Sequence, residues 1–398
     1  MTDVFITGAG SISAAGDSVD DSLRAIRSLK TGISPISILE SRHTGHFLAG
    51  EIKKSNENLA EMAGWDFSEP TSRTALLAMI AAKEAVRNIE RADLKNPRTA
   101  LISGNSVGGM GNTEKFYSDF RKNNDSGHLR DVICHECGSS TEQTALLLGI
   151  DGFSTTISTA CSSSLNAILL GLRLIRSGAY DRVIAGGSDG LARFTINGFN
   201  SLMIYSNEIC RPFSADRKGL NLGEGAGFVV LETADAAGSR KKLARVLGGA
   251  NTCDAYHQTA SSPDGEGAYE AMRLAMKSAA VNSADIGFIK AHGTATPNND
   301  LSEGKAIERL FGNEIPPVTS TKGYTGHTLG ASGSIEVIFS ILAAREGFIP
   351  QNLNFNSKMP ELSFAPHTGV SVPATPFILA NAFGFGGNNT SIVLEICT

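Results

Sequence analysis

Cysteine is scarce. The six in 398 residues, at positions 134, 137, 161, 210, 253 and 397, have neither the density nor the spacing of a disulfide scaffold, which excludes the small secreted class. Long apolar runs are missing too. None approaches the roughly 18 residues needed to cross a bilayer, so no membrane span is expected. The first residues, Met-Thr-Asp-Val-Phe-Ile-Thr-Gly-Ala-Gly, carry no basic segment followed by an apolar one, and a reduced cytoplasmic setting is the expectation. Nor is there an excess of positive charge. Thirty-five Lys and Arg stand against 40 Asp and Glu, a net charge of -5, which argues against nucleic acid as a partner. A small basic patch facing an acidic protein stays open. What remains is an ordinary globular composition, 41% hydrophobic and 19% charged, in a chain long enough for two domains.

One stretch organises the rest. Thr155, Thr156, Ile157 and Thr159 favour an extended backbone, so a short strand is expected there. From Leu165 the period changes: Leu165, Ile168, Leu169, Leu172 and Ile175 recur at helical spacing, and Gly178 stands where a helix would stop. Cys161 therefore falls at a strand-to-helix turn, followed by three serines in the first turn. The unpaired N–H groups and positive end of a helix stabilise a thiolate, so this geometry predicts a lowered thiol pKa and a nucleophile. A small buried cysteine is the bland alternative.

Along the chain, strands alternate with helices. Val4–Gly10 reads as a strand entering a glycine turn; Gly8, Gly10 and Gly16 miss the spacing of a dinucleotide site. Helices are expected at 22–29 and 74–89, an irregular segment at 31–70, strands at 98–103, 182–190 and 228–232, and a polar inserted segment at 112–140. Residues 233–242 read as a connector. The second half then retraces the first: 244–250 resembles 4–10, 269–280 resembles 74–89, 286–290 resembles 99–104, and 378–387 resembles 183–190. This predicts an α/β fold with mostly parallel sheets, built by internal duplication into halves at 1–235 and 243–398.

Three glycine-bracketed loops in the second half collect reactive side chains. They are Lys290-Ala291-His292-Gly293-Thr294-Ala295-Thr296 and its continuation to Asp300, Lys322-Gly323-Tyr324-Thr325-Gly326-His327, and Asn381-Ala382-Phe383-Gly384-Phe385-Gly386-Gly387. With Cys161 they supply a nucleophile, two imidazoles, a lysine and glycine-rich backbone able to present N–H groups. The order of Thr-Ala-Cys-Ser-Ser, His-Gly-Thr-x-Thr, Lys-x-x-x-x-His and Asn-x-Phe-Gly-Phe-Gly-Gly-x-Asn resembles that of the β-ketoacyl-[acyl carrier protein] synthases, elongating type. Arg211-Pro212-Phe213 and Leu222-Gly223-Glu224-Gly225-Ala226-Gly227 match family segments as well.

The resemblance covers the whole chain and implies the thiolase-like αβαβα five-layer sandwich of two duplicated halves. It implies a transferase whose Cys161 takes an acyl group from a pantetheine thioester. Malonyl-carrier protein then loses carbon dioxide, and the enolate attacks the acyl-Cys161 carbonyl. His292 and His327 would donate hydrogen bonds to the enolate oxygen. The backbone N–H groups of Cys161 and Phe385 would form a second oxyanion hole. Lys322 would support the network beside Glu336. Thr294 and Thr296 would bind the pantetheine arm, Phe385 would gate the acyl pocket, Phe383 would face decarboxylation, and Val107 would line the acyl tunnel near a dimer interface. No cofactor or metal is implied. The partners implied are acyl carrier protein and a second subunit, identical or related, in fatty-acid or in polyketide or polyene elongation.

Some residues depart from this pattern or stand outside it. Asn299 stands where many relatives have glycine. Cys134-His135-Glu136-Cys137 and His43-x-x-His46 have the spacing of metal-binding pairs, but neither supplies four ligands. Arg121, Lys122, Arg130, Arg217 and Lys218 are candidate contacts for an acidic carrier. A degradative thiolase would need a second cysteine in the last loop, and an initiating synthase would have Asn in place of His327. A non-catalytic chain-length partner of a heterodimer is the alternative from another class, and such chains usually lack the nucleophile that Cys161 supplies.

Overall fold

Ten strands make one continuous sheet in the computed structural model, which describes residues 2–397. In chain order they are β1 (Val4–Ser13), β2 (Thr99–Gly104), β3 (Ser154–Ile157), β4 (Arg182–Asp189), β5 (Gly225–Thr233), β6 (Ala244–Cys253), β7 (Ile286–Lys290), β8 (Val318–Thr319), β9 (Phe377–Gly384) and β10 (Asn388–Ile396). Their lateral order is β8-β7-β9-β10-β6-β1-β5-β4-β2-β3. Each half of this order repeats the other: β3-β2-β4-β5-β1 becomes β8-β7-β9-β10-β6 when five is added to every number. The two five-stranded halves meet only where Phe5 and Ile6 of β1 pair with Arg245 and Ala244 of β6.

The expectation of mostly parallel pairing is corrected. Parallel ladders are confined to β3-β2-β4 and β8-β7-β9, and the other five pairings are antiparallel. The reason is local. Only Phe385, Gly386 and Gly387 separate β9 from β10, and a connection that short can only reverse the chain.

Helices complete the layers: α1 (Arg73–Ala85), α2 (Met110–Lys122), α3 (Cys137–Leu148), α4 (Ser163–Arg176), α5 (Arg193–Ser201), α6 (Glu266–Ala279), α7 (Pro297–Phe311) and α8 (Ser332–Arg345). A further helix at Asn56–Ala63 occupies the stretch expected to be irregular. The polar segment 112–140 is largely helical, as α2, a short 3-10 turn at Leu129–Val132 and the start of α3. Three buried clusters follow the layers. One holds α1 against β1, β4 and β5. Another holds α6 and α7 against the second half-sheet. The third sits between the half-sheets, around α4 and α8. Position on this central layer is written in the helices themselves. Every residue of α8 from Ser332 to Ile341 is buried, as expected of a helix that is apolar on all sides, and Glu336 is the one charge in that run.

The two central helices meet at their N-termini. Ser334 N–H donates to Ser164 Oγ at 3.0 Å. A methyl group on Gly333 would lie 2.7 Å from the Leu165 Cβ, closer than packed atoms come. A glycine there lets α4 and α8 touch, and so brings the loops before them, one from each half, to the same place.

Candidate active site

Cys161 occupies the turn between β3 and α4. Ala160 before it has φ +51, a sparsely populated conformation for a residue with a Cβ and one that functional turns tolerate. The serines that follow hold this turn. Ser163 Oγ accepts from Thr159 N–H at 2.9 Å, and Ser162 Oγ lies 2.7 Å from both the Thr159 carbonyl and Asn388 Oδ1 on β10. Gly384 allows the last loop to approach; a Cβ there would lie 2.9 Å from the Thr159 carbonyl oxygen.

His327 reaches the same point from the other half. Its backbone is pinned to the Leu222-Gly223 segment, N–H to the Asn221 carbonyl at 2.8 Å and carbonyl to Gly223 N–H at 2.9 Å, which gives that matched motif a structural task. Nε2 lies 3.1 Å from Cys161 Sγ. On the far side of the ring, Leu329 N–H donates to Nδ1 at 3.2 Å, and Ser332 Oγ is 2.9 Å from it. A backbone N–H can only donate, so Nδ1 accepts and the hydrogen of the neutral ring sits on Nε2.

His292 is built the same way by different means. The Lys322 ammonium lies 3.3 Å from its Nδ1 and also donates to its carbonyl. An ammonium has no lone pair to give, so Nδ1 again accepts and Nε2 carries the hydrogen. The rings stand edge to face, 5.2 Å apart at an interplanar angle of 83°. Burial first, then the Lys322 charge, holds both imidazoles well below their ordinary pKa, so both are neutral donors at physiological pH.

Sγ of Cys161 and one nitrogen from each imidazole lie within 4.8 Å of one another. Three such groups invite a metal, but the surrounding donors do not fit one. A metal-bound imidazole gives its other N–H to an acceptor, whereas both Nδ1 atoms here face donors.

The thiol departs from expectation. Burial pushes Cys161 up to about 11, against the opposing pull of Lys322 and of the backbone N–H groups of Phe385 and Cys161 itself. The helix N-terminus and these donors do not outweigh enclosure. The resting sulfur is a thiol, surrounded by the groups that would stabilise its anion.

A cavity of about 230 Å³ opens at this point, lined by Cys161, His292, His327, Thr294, Phe383 and Phe385 among others. Thr294 Oγ1 and Thr296 Oγ1 are 2.8 Å apart in its wall. Phe385 stacks on Phe199 of α5 at 5.6 Å, and Phe383 lies 6.1 Å from the His292 ring. Lys322 and Glu336 stand behind His292, joined at 2.6 Å. Val107 lies outside the cavity, packed in a cluster with Leu191, Leu220 and Leu329. The candidate carrier contacts are mostly engaged elsewhere. Arg217 donates to the Thr296, Pro297 and Ser214 carbonyls, Lys218 pairs with Glu208, Lys122 with Asp119 and Arg130 with Glu69.

Several residues were not singled out from sequence. Glu303 receives the N–H groups of His292 and Gly293 at 2.8 and 2.9 Å, much as Asp300, named above at the end of the same loop, receives those of Phe213 and Ala295. Asp189, fully buried, accepts from Ser106, Val107 and Gly330 N–H, tying the Val107 loop to the His327 loop. Its place at the end of β4, beside glycines, was the available signal.

The comparisons agree with this geometry. Residues 1–237 match the family model for the beta-ketoacyl synthase N-terminal domain, and residues 243–356 that for the C-terminal domain. The chain is 32% identical to 3-oxoacyl-[acyl-carrier-protein] synthase 2 of Staphylococcus aureus (strain N315), over 98% of each. Among solved structures, it resembles the ishigamide ketosynthase/chain length factor with a TM-score of 0.93 at 28% identity, covering all of both chains. It also resembles a ketosynthase in complex with a type II polyketide synthase acyl-carrier protein, with a TM-score of 0.88 at 25% identity, again covering all of both chains. The sandwich is thus the thiolase-like one, and the chain belongs to the β-ketoacyl synthase family of condensing acyltransferases.

Proposed function

We propose that this chain is a catalytic, elongating 3-oxoacyl-[acyl carrier protein] synthase. The observation that carries the reading is the convergence of Cys161 Sγ with two imidazoles that both present Nε2–H. Cys161 attacks the thioester carbonyl of an acyl chain on a carrier's pantetheine arm; the C–S bond to the carrier breaks, acyl-Cys161 forms, and the proton leaves with the carrier thiol. Malonyl-carrier then loses carbon dioxide, and the C–C electron pair becomes an enolate whose oxygen receives the two Nε2–H groups. Each such donor is worth on the order of 10²–10³ in rate. The enolate carbon attacks the acyl carbonyl, whose oxyanion rests on the N–H groups of Cys161 and Phe385, and the Cys161 sulfur leaves and regains a proton. No cofactor enters.

Within this proposal Lys322 and Glu336 hold His292. Thr294 and Thr296 meet the pantetheine arm, Phe383 packs beside the malonyl group, and Phe385, released from Phe199, opens the acyl side. Val107 lines the deeper acyl path. The repeated strand order supports taking 1–235 and 243–398 as the two units. Cysteines that remain unpaired fit a cytoplasmic setting. The edge strand β3 and the exposed Leu129, Ile133 and Phe194 support a second subunit, a copy or a related chain. Relatives solved as a ketosynthase with a chain length factor, and with an acyl-carrier protein, support both partners.

The test offers carrier-bound acyl chains of graded length and unsaturation and reads the intact mass of the protein. A mass increase on Cys161, absent in Cys161→Ser, is expected. Condensation by Cys161→Ser at the parent's rate would overturn the reading.

A further inference from the structure

Two lysines, not one, stand behind the imidazoles. Lys290 ends β7, two residues before His292, flanked by Thr319 of β8 and Ala380 of β9. Its side chain is wholly buried. Nζ donates to Glu336 Oε2 at 2.5 Å and to the Asn381 carbonyl. The other carboxylate oxygen, Oε1, holds Lys322 Nζ at 2.6 Å, and Lys322 reaches His292. Burial, and after it the Lys322 charge, lower the Lys290 pKa against the pull of Glu336. With both lysines protonated, two ammonium groups share one carboxylate, and the cluster carries a net positive charge where a simple Lys322–Glu336 pair would be neutral. Enclosing an extra ammonium is costly, and an apolar side chain of the same length would pack more cheaply. Packing alone does not account for it.

We infer that Lys290 is a positioning residue for the decarboxylation step, acting through Glu336 and Lys322 on His292; the inference rests on the function proposed above. By occupying Oε2, Lys290 leaves Lys322 a single oxygen to follow. Without it, both oxygens turn to Lys322 and draw its ammonium away from Nδ1 of His292, the contact that fixes the ring and its Nε2–H. The charge also acts at a distance. Lys290 is among the groups that lower both imidazoles, after burial and Lys322 and, for His292, also after His327, and it favours the anion that forms beside them. The other charged or titratable groups facing His292 are Lys322, His327, Cys161 and, at its backbone N–H, Glu303, with Glu336 behind Lys322.

The two half-reactions separate this role from a structural one. In the full chain, Lys290→Met is expected to load acyl groups onto Cys161 within about twofold of the parent. It is expected to release carbon dioxide from malonyl-carrier about tenfold or more slowly, with little change in KM, as a displaced catalytic group does. The acidic limb of its pH profile should move to higher pH than in the parent as His292 regains basicity. Adding Lys290→Met to Glu336→Gln should cost clearly less than Lys290→Met costs the parent, because the relay is already broken and only the action of the charge at a distance is left to lose. Where Lys290→Met does not fold, Lys290→Gln keeps a donor for the Asn381 carbonyl without the charge, and the same ratio is read on it. A ratio of the two half-reactions equal to the parent's, or full additivity with Glu336→Gln, would overturn the inference. A parent that loads chains but releases no carbon dioxide would instead overturn the proposed function.

Discussion

At the scale of single residues, the site combines a thiol that resists ionisation with donors arranged for its anion. Burial has pushed Cys161 up to about 11, so at neutral pH the thiolate is a minor species, and it grows tenfold with each pH unit until that value is reached. Alkylation of Cys161 by iodoacetamide, followed by mass spectrometry between pH 7 and 9, should therefore accelerate about tenfold per unit without levelling. A plateau near pH 7 would mean that the helix end and Lys322 outweigh enclosure. Legibility at this scale was uneven. Cys161, His292, His327 and Lys322 could be read from the motif residues, because their chemistry is unusual in type and order, whereas Glu336 followed only from the family resemblance. Lys290 and Asp189 could not, since a lysine and an aspartate ending strands look like ordinary solvated residues until the sheet covers them. The direction of the thiol shift was also misread. Sequence shows a helix start, but the depth of burial is set by residues hundreds of positions away.

Among the elements, α4 and α8 set the spacing of the site. Their N-termini touch across Gly333 and Leu165, and Ser334 binds Ser164, so the loops before them deliver sulfur and imidazole together. Gly333→Val should wedge the helices apart. Because it also overpacks a dense layer, it should cost about 1–3 kcal/mol of stability, and acyl transfer to Cys161 should fall far more than that loss explains. Thermal unfolding and the loading assay on the same preparation check this; a stability loss with unimpaired loading would show that the contact does not set the distance. Sequence periodicity found α4, while the central place of α8 shows only in the structure, where every residue from Ser332 to Ile341 is buried. The antiparallel strands escaped notice because alternation of strands with helices reads as parallel pairing, and only the three-residue link between β9 and β10 forces the reversal.

Across the whole molecule, the duplicated half-sheets leave one free edge at β3 and another at β8. Two large apolar side chains stand exposed in the segment that follows α2. Leu129 is 75% and Ile133 67% exposed, and α2 beside them buries no residue. If the proposed second subunit docks here, replacing both with Glu should shift the particle from dimer to monomer mass in light scattering. An unchanged mass would place the partner elsewhere. The duplication itself was legible, since strand, helix and glycine turn recur in register in both halves. The character of this face was not, because Leu129 and Ile133 lie in a stretch whose overall polarity hides them. The two locked imidazoles have one more consequence. Each offers hydrogen outward and keeps its lone pair turned inward on a donor, so neither ring has a vacant basic site with which to abstract a proton from carbon. The nucleophile can then arise only by breaking a bond to a departing carboxylate, and the escape of gas makes that step one-way. Growth of the chain has a direction because of which nitrogen holds the hydrogen.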